Sequence, residues 1–538
     1  MPAHHHLFKQ KLSHRQLSIF LIITFSLVRL AIAGSMELGT DEAYYWFYSQ
    51  NLKLNYFDHP PMIAFIIRLF TGNLLLQSHE VFVRLGSVAG CAISSWFIYK
   101  TCTFLHSARA GLLGVCLYNI SFFAAVTAGI FIMPDAPLMV FFTLCLYLIA
   151  QLTQKGDDWL LWISFGIAAG LCVMSKIYGL LPWAGLGMYL LIQQRSWLKK
   201  PQLYVALLIS IVITMPILLW NINYGFATHD FQADRLSPED SPINPFSFLR
   251  EFFNQFLYNN PFNVVITAAA LIWYLKNSAA RLPALTIFNY IGLPLAVLLL
   301  VIALKRDSTL PHWSGPAYVA LIPVAAIYLA SVKSNFPAML WAGIAGFIVF
   351  LIVWQAFIQF RITAGGNTQT FAEVGETHSG SGKLLAAFNG FAHMQLIAEP
   401  AGSWSKAEEQ FIEIYTNDIS KGWMRVNSPV VCNKWWGAQI EYYFCYKSNI
   451  PVIGMGTLNE LHEYMWTNAQ RIQSADMSTA YCIIPADISY DTKKYYSKYY
   501  SKIGSRAVIN ITGKYGLPLR FYVYRLTGWK GLLPIIKQ

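Results

Sequence analysis

Between residues 17 and 358 the chain passes through one apolar run after another, each long enough to cross a hydrocarbon layer of about 30 Å as a helix of about 20 residues. Backbone amides inside lipid have no water to bond, so such runs must satisfy their own hydrogen bonds as helices. With 55% hydrophobic and only 12% charged residues, the chain also lacks the polar shell that one soluble globule requires. It is therefore expected to be a mostly α, polytopic membrane protein with about eleven spans. They are placed near residues 17–34, 80–104, 108–128, 134–153, 159–175, 178–194, 202–221, 254–275, 283–303, 313–331 and 336–358. The first carries Arg29 and lacks a small-residue cleavage site, so it reads as a retained helix.

Orientation follows from the basic residues of the short loops. Lys9, Lys11, Arg15, Lys100, Arg109, Lys155, Arg195, Lys199, Lys200, Lys276, Arg281 and Lys333 all fall on one side of this layout, which is assigned to the cytoplasm. Residues 35–79, 129–133, 222–253, 304–312 and everything after about 359 then face outward. The net charge of +12 serves topology and anionic lipid head groups in a chain this apolar, and nucleic acid is excluded as a partner. Five of the eight cysteines lie in expected spans as small apolar residues. Cys432, Cys445 and Cys482 lie in the tail, where at most one disulfide is possible among three.

After Phe357 the pattern changes to mixed segments rich in Tyr, Lys, Ser and Asn, with glycines at Gly365-Gly366 and Gly380 to Gly382. Two domains are expected, 1–358 in the membrane and a soluble α/β unit over 359–538. Strand-like runs at 480–485, 507–512 and 520–526 alternate there with helix-like 408–419 and 458–471.

Chemistry concentrates in the outward segments. Thr40-Asp41-Glu42-Ala43-Tyr44-Tyr45-Trp46 and Tyr56-Phe57-Asp58-His59-Pro60-Pro61 put three carboxylates and a histidine just beyond the first span. A carboxyl group near a low-dielectric surface has its pKa pushed upward unless a cation holds it ionised, which suits a general base. Tyr44, Tyr45 and Trp46 are either residues of a membrane-interface belt or a wall for a sugar ring, and position alone leaves both readings open. Asp135 opens the fourth span, where an acid serves equally as a helix cap or in function. Lys176, Arg235, Lys305 and Arg306 are cations at the same outer level, where basic residues are otherwise scarce. Arg grips two phosphate oxygens in a fork while Lys offers a compact charge, so together they suit a phosphate. A carboxylate, cations and aromatic rings beside a membrane fit transfer from a lipid-linked phosphate sugar, because nucleotide sugars are not normally available outside the cytoplasm.

These segments, with Ser175-Lys176, Phe231-Gln232, Arg235-Leu236 and Pro311-His312-Trp313, resemble bacterial members of glycosyltransferase family 39 over about residues 17–358. That group holds the protein O-mannosyltransferases and the aminoarabinose transferases of lipid A. The resemblance implies a GT-C fold in the bacterial inner membrane, with the active site facing the periplasm and a polyprenyl-phosphate sugar as donor. It implies Asp41 as base, with Glu42 beside it and Asp135 as the second acidic position. Lys176 and Arg306, with Lys305 and Arg235, become donor-phosphate candidates, while Tyr44, Tyr45, Asp58, His59 and His312 fall to substrate binding. The acceptor is a lipid, glycan or protein. Cys432-Asn433-Lys434-Trp435-Trp436 in the tail is similar to uncharacterised bacterial relatives and disfavours a protein acceptor. No metal is required on this reading, although Asp41, Glu42, Asp58 and Asp135 have the chemistry to hold a divalent cation.

Two other classes compete. A transporter or flippase of lipid-linked sugars would share the outward cations, but its path needs polar groups deep in several spans, and the expected mid-span regions are almost bare of charge. A receptor using the tail as a binding module leaves the first loop unexplained.

Overall fold

The computed structural model describes residues 12–237, 243–306, 309–332, 403–486, 491–512 and 518–533. In chain order its first helices are α1 (His14–Ala33), α2 (Thr40–Gln50), α3 (Met62–Phe70), α4 (Glu80–Leu105), α5 (Ala108–Ile120), α6 (Asp135–Leu152) and α7 (Trp159–Ser175). They continue as α8 (Leu181–Ile192), α9 (Pro201–Asn223), α10 (Ala227–Leu236), α11 (Pro245–Tyr258), α12 (Pro261–Lys276), α13 (Pro283–Ala303) and α14 (Gly315–Ser331). The chain forms two compact units. One takes the described residues within Met1–Ile32, His59–Ile66 and Arg84–Ile352, the other those within Ala33–Asp58, Ile67–Val83 and Val353–Gln538.

In the first unit, six helices of the described residues are long and apolar enough to cross a membrane: α1, α4, α6, α9, α13 and the stretch His312–Ser331 that holds α14. Four more apolar helices are shorter, at Ala108–Ile120, Trp159–Ser175, Ile177–Ile192 and Pro261–Lys276. The run expected as one span over 254–275 is broken. Asn260 takes φ +69°, its side-chain oxygen accepts from the Phe262 amide, and Pro261 opens α12. The span expected over 108–128 ends as a helix at Ile120 and continues through a π-turn at Phe123–Thr127. The span expected over 336–358 lies outside the described residues.

Small residues let these helices approach closely, as membrane interfaces require. A Cβ on Gly166 of α7 would lie 2.5 Å from the Ala206 carbonyl of α9, and one on Gly292 of α13 would lie 2.6 Å from the Ala317 carbonyl of α14.

The second unit carries a five-stranded sheet in the order β2-β1-β3-β5-β4. Its strands are β1 (Val430–Cys432), β2 (Val452–Gly454), β3 (Thr479–Pro485), β4 (Tyr500–Thr512) and β5 (Pro518–Trp529). The first three are mutually parallel in their pairs, and β5 runs antiparallel to β3 and β4. All three expected strands are present within β3, β4 and β5. Helix α15 (Ser403–Ser420) contains the expected helix over 408–419 and is braced to the sheet by Asp418, whose carboxylate takes Arg525 Nε at 2.5 Å and Nη2 at 3.0 Å. After α16 (Gly437–Ile440), the helix expected over 458–471 divides into α17 (Leu458–Leu461) and α18 (Tyr464–Arg471) at His462, where φ is +49°. All eight cysteines are buried, and none of them forms a disulfide among the described residues.

Candidate functional site

In the first unit, Pro134 turns the chain into α6 and makes Asp135 its first helical residue. Lys176 directly follows the last residue of α7, in an extended conformation that ends the helix. Lys176 Nζ lies 2.8 Å from one oxygen of Asp135 and 3.0 Å from the other, and both side chains are almost wholly buried. An acid at a helix N-terminus and a cation at a helix C-terminus each complement the local dipole. Asp135 makes no capping bond, so the carboxylate serves the lysine and not the helix end. Lys176 Nζ also stands 5.6 Å from the centre of the Tyr178 ring.

Around this pair the structure gathers more of the expected residues. His312 is buried in the turn Pro311–Ser314, close enough to Lys176, Arg235 and His59 for their charges to act on it. Arg235, in the last turn of α10, lies over two rings, Phe231 and Trp313, each 5.3 Å from its guanidinium carbon. Arg306 is used differently from expectation. Its Nη1 donates to the carbonyls of Asp234 at 2.6 Å and Ser237 at 2.9 Å, closing the C-terminal end of α10. Lys305 beside it is exposed.

One acidic residue near this cluster was not singled out from the sequence. Glu251 in α11 is completely buried; Gln255 Nε2 donates to its Oε1 at 3.0 Å. Burial pushes its carboxyl up to about 7, against the weaker pull of the Gln255 amide, the Thr309 hydroxyl and Arg250. It lies within electrostatic range of Tyr178, as do Asp135 and Arg235. A legible signal existed: Ser247, Glu251, Asn254, Gln255 and Tyr258 recur at helical spacing, but a boundary drawn at residue 254 cut the pattern in two. Arg84 was likewise passed over, and it is fully buried 5.7 Å from the Phe131 ring.

In the second unit, α2 carries the first acidic motif. Glu42 reaches back from the third helical position to accept from the Gly39 amide at 2.9 Å, a helix-capping role. Asp41, one residue earlier, is half-buried in the first turn. Tyr44, Tyr45 and Trp46 are buried, so they are neither exposed belt residues nor an open wall. Trp46 packs edge-on to Tyr442, Phe47 stacks on Tyr464 with centroids 4.5 Å apart, and α2 rests on α16.

Asp58 is buried and accepts from the hydroxyls of Tyr48 and, at 3.2 Å, Tyr44; the Nδ1 of His462 is 3.9 Å from its other oxygen. Next to it, Glu463 takes Lys53 Nζ at 2.5 Å and the Phe57 amide at 3.1 Å. Burial raises the Glu463 carboxyl, and Lys53 opposes the rise. Burial and the Asp58 charge push the Tyr44 and Tyr48 phenols well above their usual range. Among the described residues no group of three or more His, Cys, Asp or Glu gathers as a ligand set for a metal ion.

The family model for dolichyl-phosphate-mannose-protein mannosyltransferases matches residues 58–220, a segment that holds Asp58, His59, Asp135 and Lys176. The lipid A galacturonosyltransferase RgtD of Rhizobium johnstonii is 25% identical over 319 residues. ArnT from Cupriavidus metallidurans in the apo state superposes with a TM-score of 0.61 at 15% identity, covering 95% of this chain and 98% of that one. The chain has the fold of ArnT. The same ArnT bound to undecaprenyl phosphate matches this chain with a TM-score of 0.61 at 14% identity, over 94% and 97% of the two chains. The alignment to RgtD spans 58% of this chain and 65% of that relative, just under two thirds of its length.

Proposed function

We propose that this protein is a membrane glycosyltransferase that moves a sugar from a polyprenyl-phosphate donor to an extracytoplasmic acceptor, a hydroxyl or phosphate on lipid A, a glycan or a protein. The observation that carries the reading is the cation cluster of the first unit, buried Lys176 held on Asp135 with half-buried Arg235 nearby around His312. Asp135 balances Lys176, and Arg235, which lies on two rings and on no carboxylate among the described residues, leaves net positive charge for a lipid phosphate. The fold supports the same donor class, since the ArnT of matching fold is described with undecaprenyl phosphate bound.

In this mechanism the acceptor oxygen attacks the anomeric carbon, and the bond from that carbon to the phosphate oxygen breaks. Polyprenyl phosphate leaves with the electron pair, its charge offset by Lys176 and Arg235, with Arg306 and Lys305 as weaker contributors. Asp41 takes the proton of a hydroxyl acceptor, and Asp135 holds Lys176 in place. A single displacement inverts the anomeric carbon. Asp58, His59 and His312 serve to bind the substrates, while the buried Tyr44 and Tyr45 shape α2 behind Asp41. The protein sits in the bacterial inner membrane, residues 1–358 forming the transferase domain and residues 359–538 a periplasmic α/β domain, with chemistry on the periplasmic side.

The test is mass spectrometry of lipid A, surface glycans and periplasmic glycoproteins from cells carrying the wild type, a deletion or Asp41→Asn at equal level. One sugar mass is expected to vanish in the deletion and in the variant alike, the latter through a drop of about 10²–10⁴-fold in transfer with unfolding unchanged. A sugar lost in the deletion alone would remove Asp41 from the chemistry.

A further inference from the structure

Helix α11 is built inside out. Phe246, Leu249, Phe252 and Phe253 are exposed, while Ser247, Glu251, Asn254, Gln255 and Tyr258 form the buried face. A water-soluble helix does the reverse, and an apolar outer face with a polar inner one suits a helix that touches lipid and lines a wet interior.

The buried face is also unsatisfied. By hydrogen-bond geometry Glu251 Oε2, Asn254 Nδ2, Thr309 Oγ1 and, in the turn on which α11 packs, His312 Nδ1 find no partner among the described residues, although the Thr309 hydroxyl lies near enough to Glu251 to pull its carboxyl down. Each such orphan costs about 1–3 kcal/mol if it stays dry. Four of them on and beside α11 mark a place that something polar fills. The seam adjoins the cation cluster through two residues. His312 is within reach of the Lys176 and Arg235 charges, and Tyr178 is within reach of both Arg235 and Glu251.

We infer that this seam is the pocket for the sugar ring of the lipid-linked donor, and that Glu251 makes it select sugars that bear no carboxylate. The inference rests on the transferase reading above. A pyranose hydroxyl both donates and accepts, so a ring of several hydroxyls can meet a carboxyl, an amide, a hydroxyl and an imidazole at once. Above about pH 7, where Glu251 gives up its proton, a uronic acid would bring a second carboxylate against it in a water-poor seam, and like charges there disfavour each other. Arg250 on α11 reaches Glu251 only as the weakest of the influences on it, and the Gln255 amide is already given to Glu251 and to the Ala296 carbonyl, so little positive charge is left there for a second carboxylate.

The experiment measures binding of farnesyl phosphate, farnesyl-phosphate glucose and farnesyl-phosphate glucuronic acid to the full chain in lipid nanodiscs, at a pH about one unit above the Glu251 value so that its carboxylate is ionised. The wild type is expected to favour the glucosyl over the glucuronyl probe by about tenfold or more, and Glu251→Gln to shrink that ratio severalfold by gaining the glucuronyl probe. Thr309→Val, a milder change, is expected to weaken the glucosyl probe severalfold. Equal binding of the two sugars by the wild type, or an unchanged ratio in a folded Glu251→Gln protein, overturns the inference while leaving the transferase reading standing. Binding of none of the three probes, farnesyl phosphate included, overturns both.

Discussion

Asp135 and Glu251 are both buried carboxyl groups of the first unit, and they meet burial in opposite ways. Asp135 has a lysine against both of its oxygens. Glu251 has one amide on one oxygen and no hydrogen bond among the described residues on the other. Burying an ion costs several kcal/mol, repaid only with a counter-ion in good geometry, whereas an unpaired acid escapes the cost by holding its proton. The first arrangement fixes a charge in place; the second leaves a group that can give or take a hydrogen bond as its partner demands.

The largest effect should come from breaking the paired site. Lys176→Ala leaves Asp135 without its cation and is expected to cost about 3–5 kcal/mol of stability, read by thermal unfolding in detergent. The double variant Asp135→Asn with Lys176→Met should regain most of that stability without regaining transfer. A fully stable Lys176→Ala protein would show that the pair is not what pays for its own burial.

Glu251 should instead announce itself through pH. Its folded value, near 7, lies above its unfolded value of about 4.5, so the folded state binds the proton more tightly. That contribution is present at low pH and is lost as pH rises from about 4.5 to 7. The unfolding midpoint of the wild type should therefore fall across this window relative to that of Glu251→Gln, and parallel curves would refute the assignment.

Asp58, in the second unit, stands between the two, a buried acid held by tyrosine hydroxyls. Tyr48→Phe removes one donor and should cost about 1–3 kcal/mol, measured by unfolding of the full chain. Smallest is Arg306→Ala. If its main task is to close α10, the loss should be about 0.3–1 kcal/mol with donor affinity nearly unchanged, whereas a tenfold weaker donor would restore it to the phosphate site.

What the sequence disclosed follows the same division. Apolar runs and loop charges speak directly of spans, and the acid-aromatic motifs point to α2 and to the Asp135–Lys176 pair because those residue types are conspicuous in such company. Glu251 was hidden because a polar residue in a loop and a polar residue on the inner face of a lipid-facing helix look alike until the helix is known to start at Pro245. The break at Asn260 was hidden too, since apolar residues flank it on both sides. The double use of Glu42 as a cap and of Arg306 on backbone carbonyls depends on local geometry that charge alone does not specify.

The most direct measurement puts the wild type and Lys176→Arg or Lys176→Ala proteins into proteoliposomes with a labelled polyprenyl-phosphate sugar and lipid A. Free polyprenyl phosphate and sugar-bearing acceptor should appear in equal amounts with the wild type, at a much lower rate with either variant. Sugar crossing the bilayer while still joined to its lipid, with no polyprenyl phosphate released, would contradict a transferase and point to a carrier.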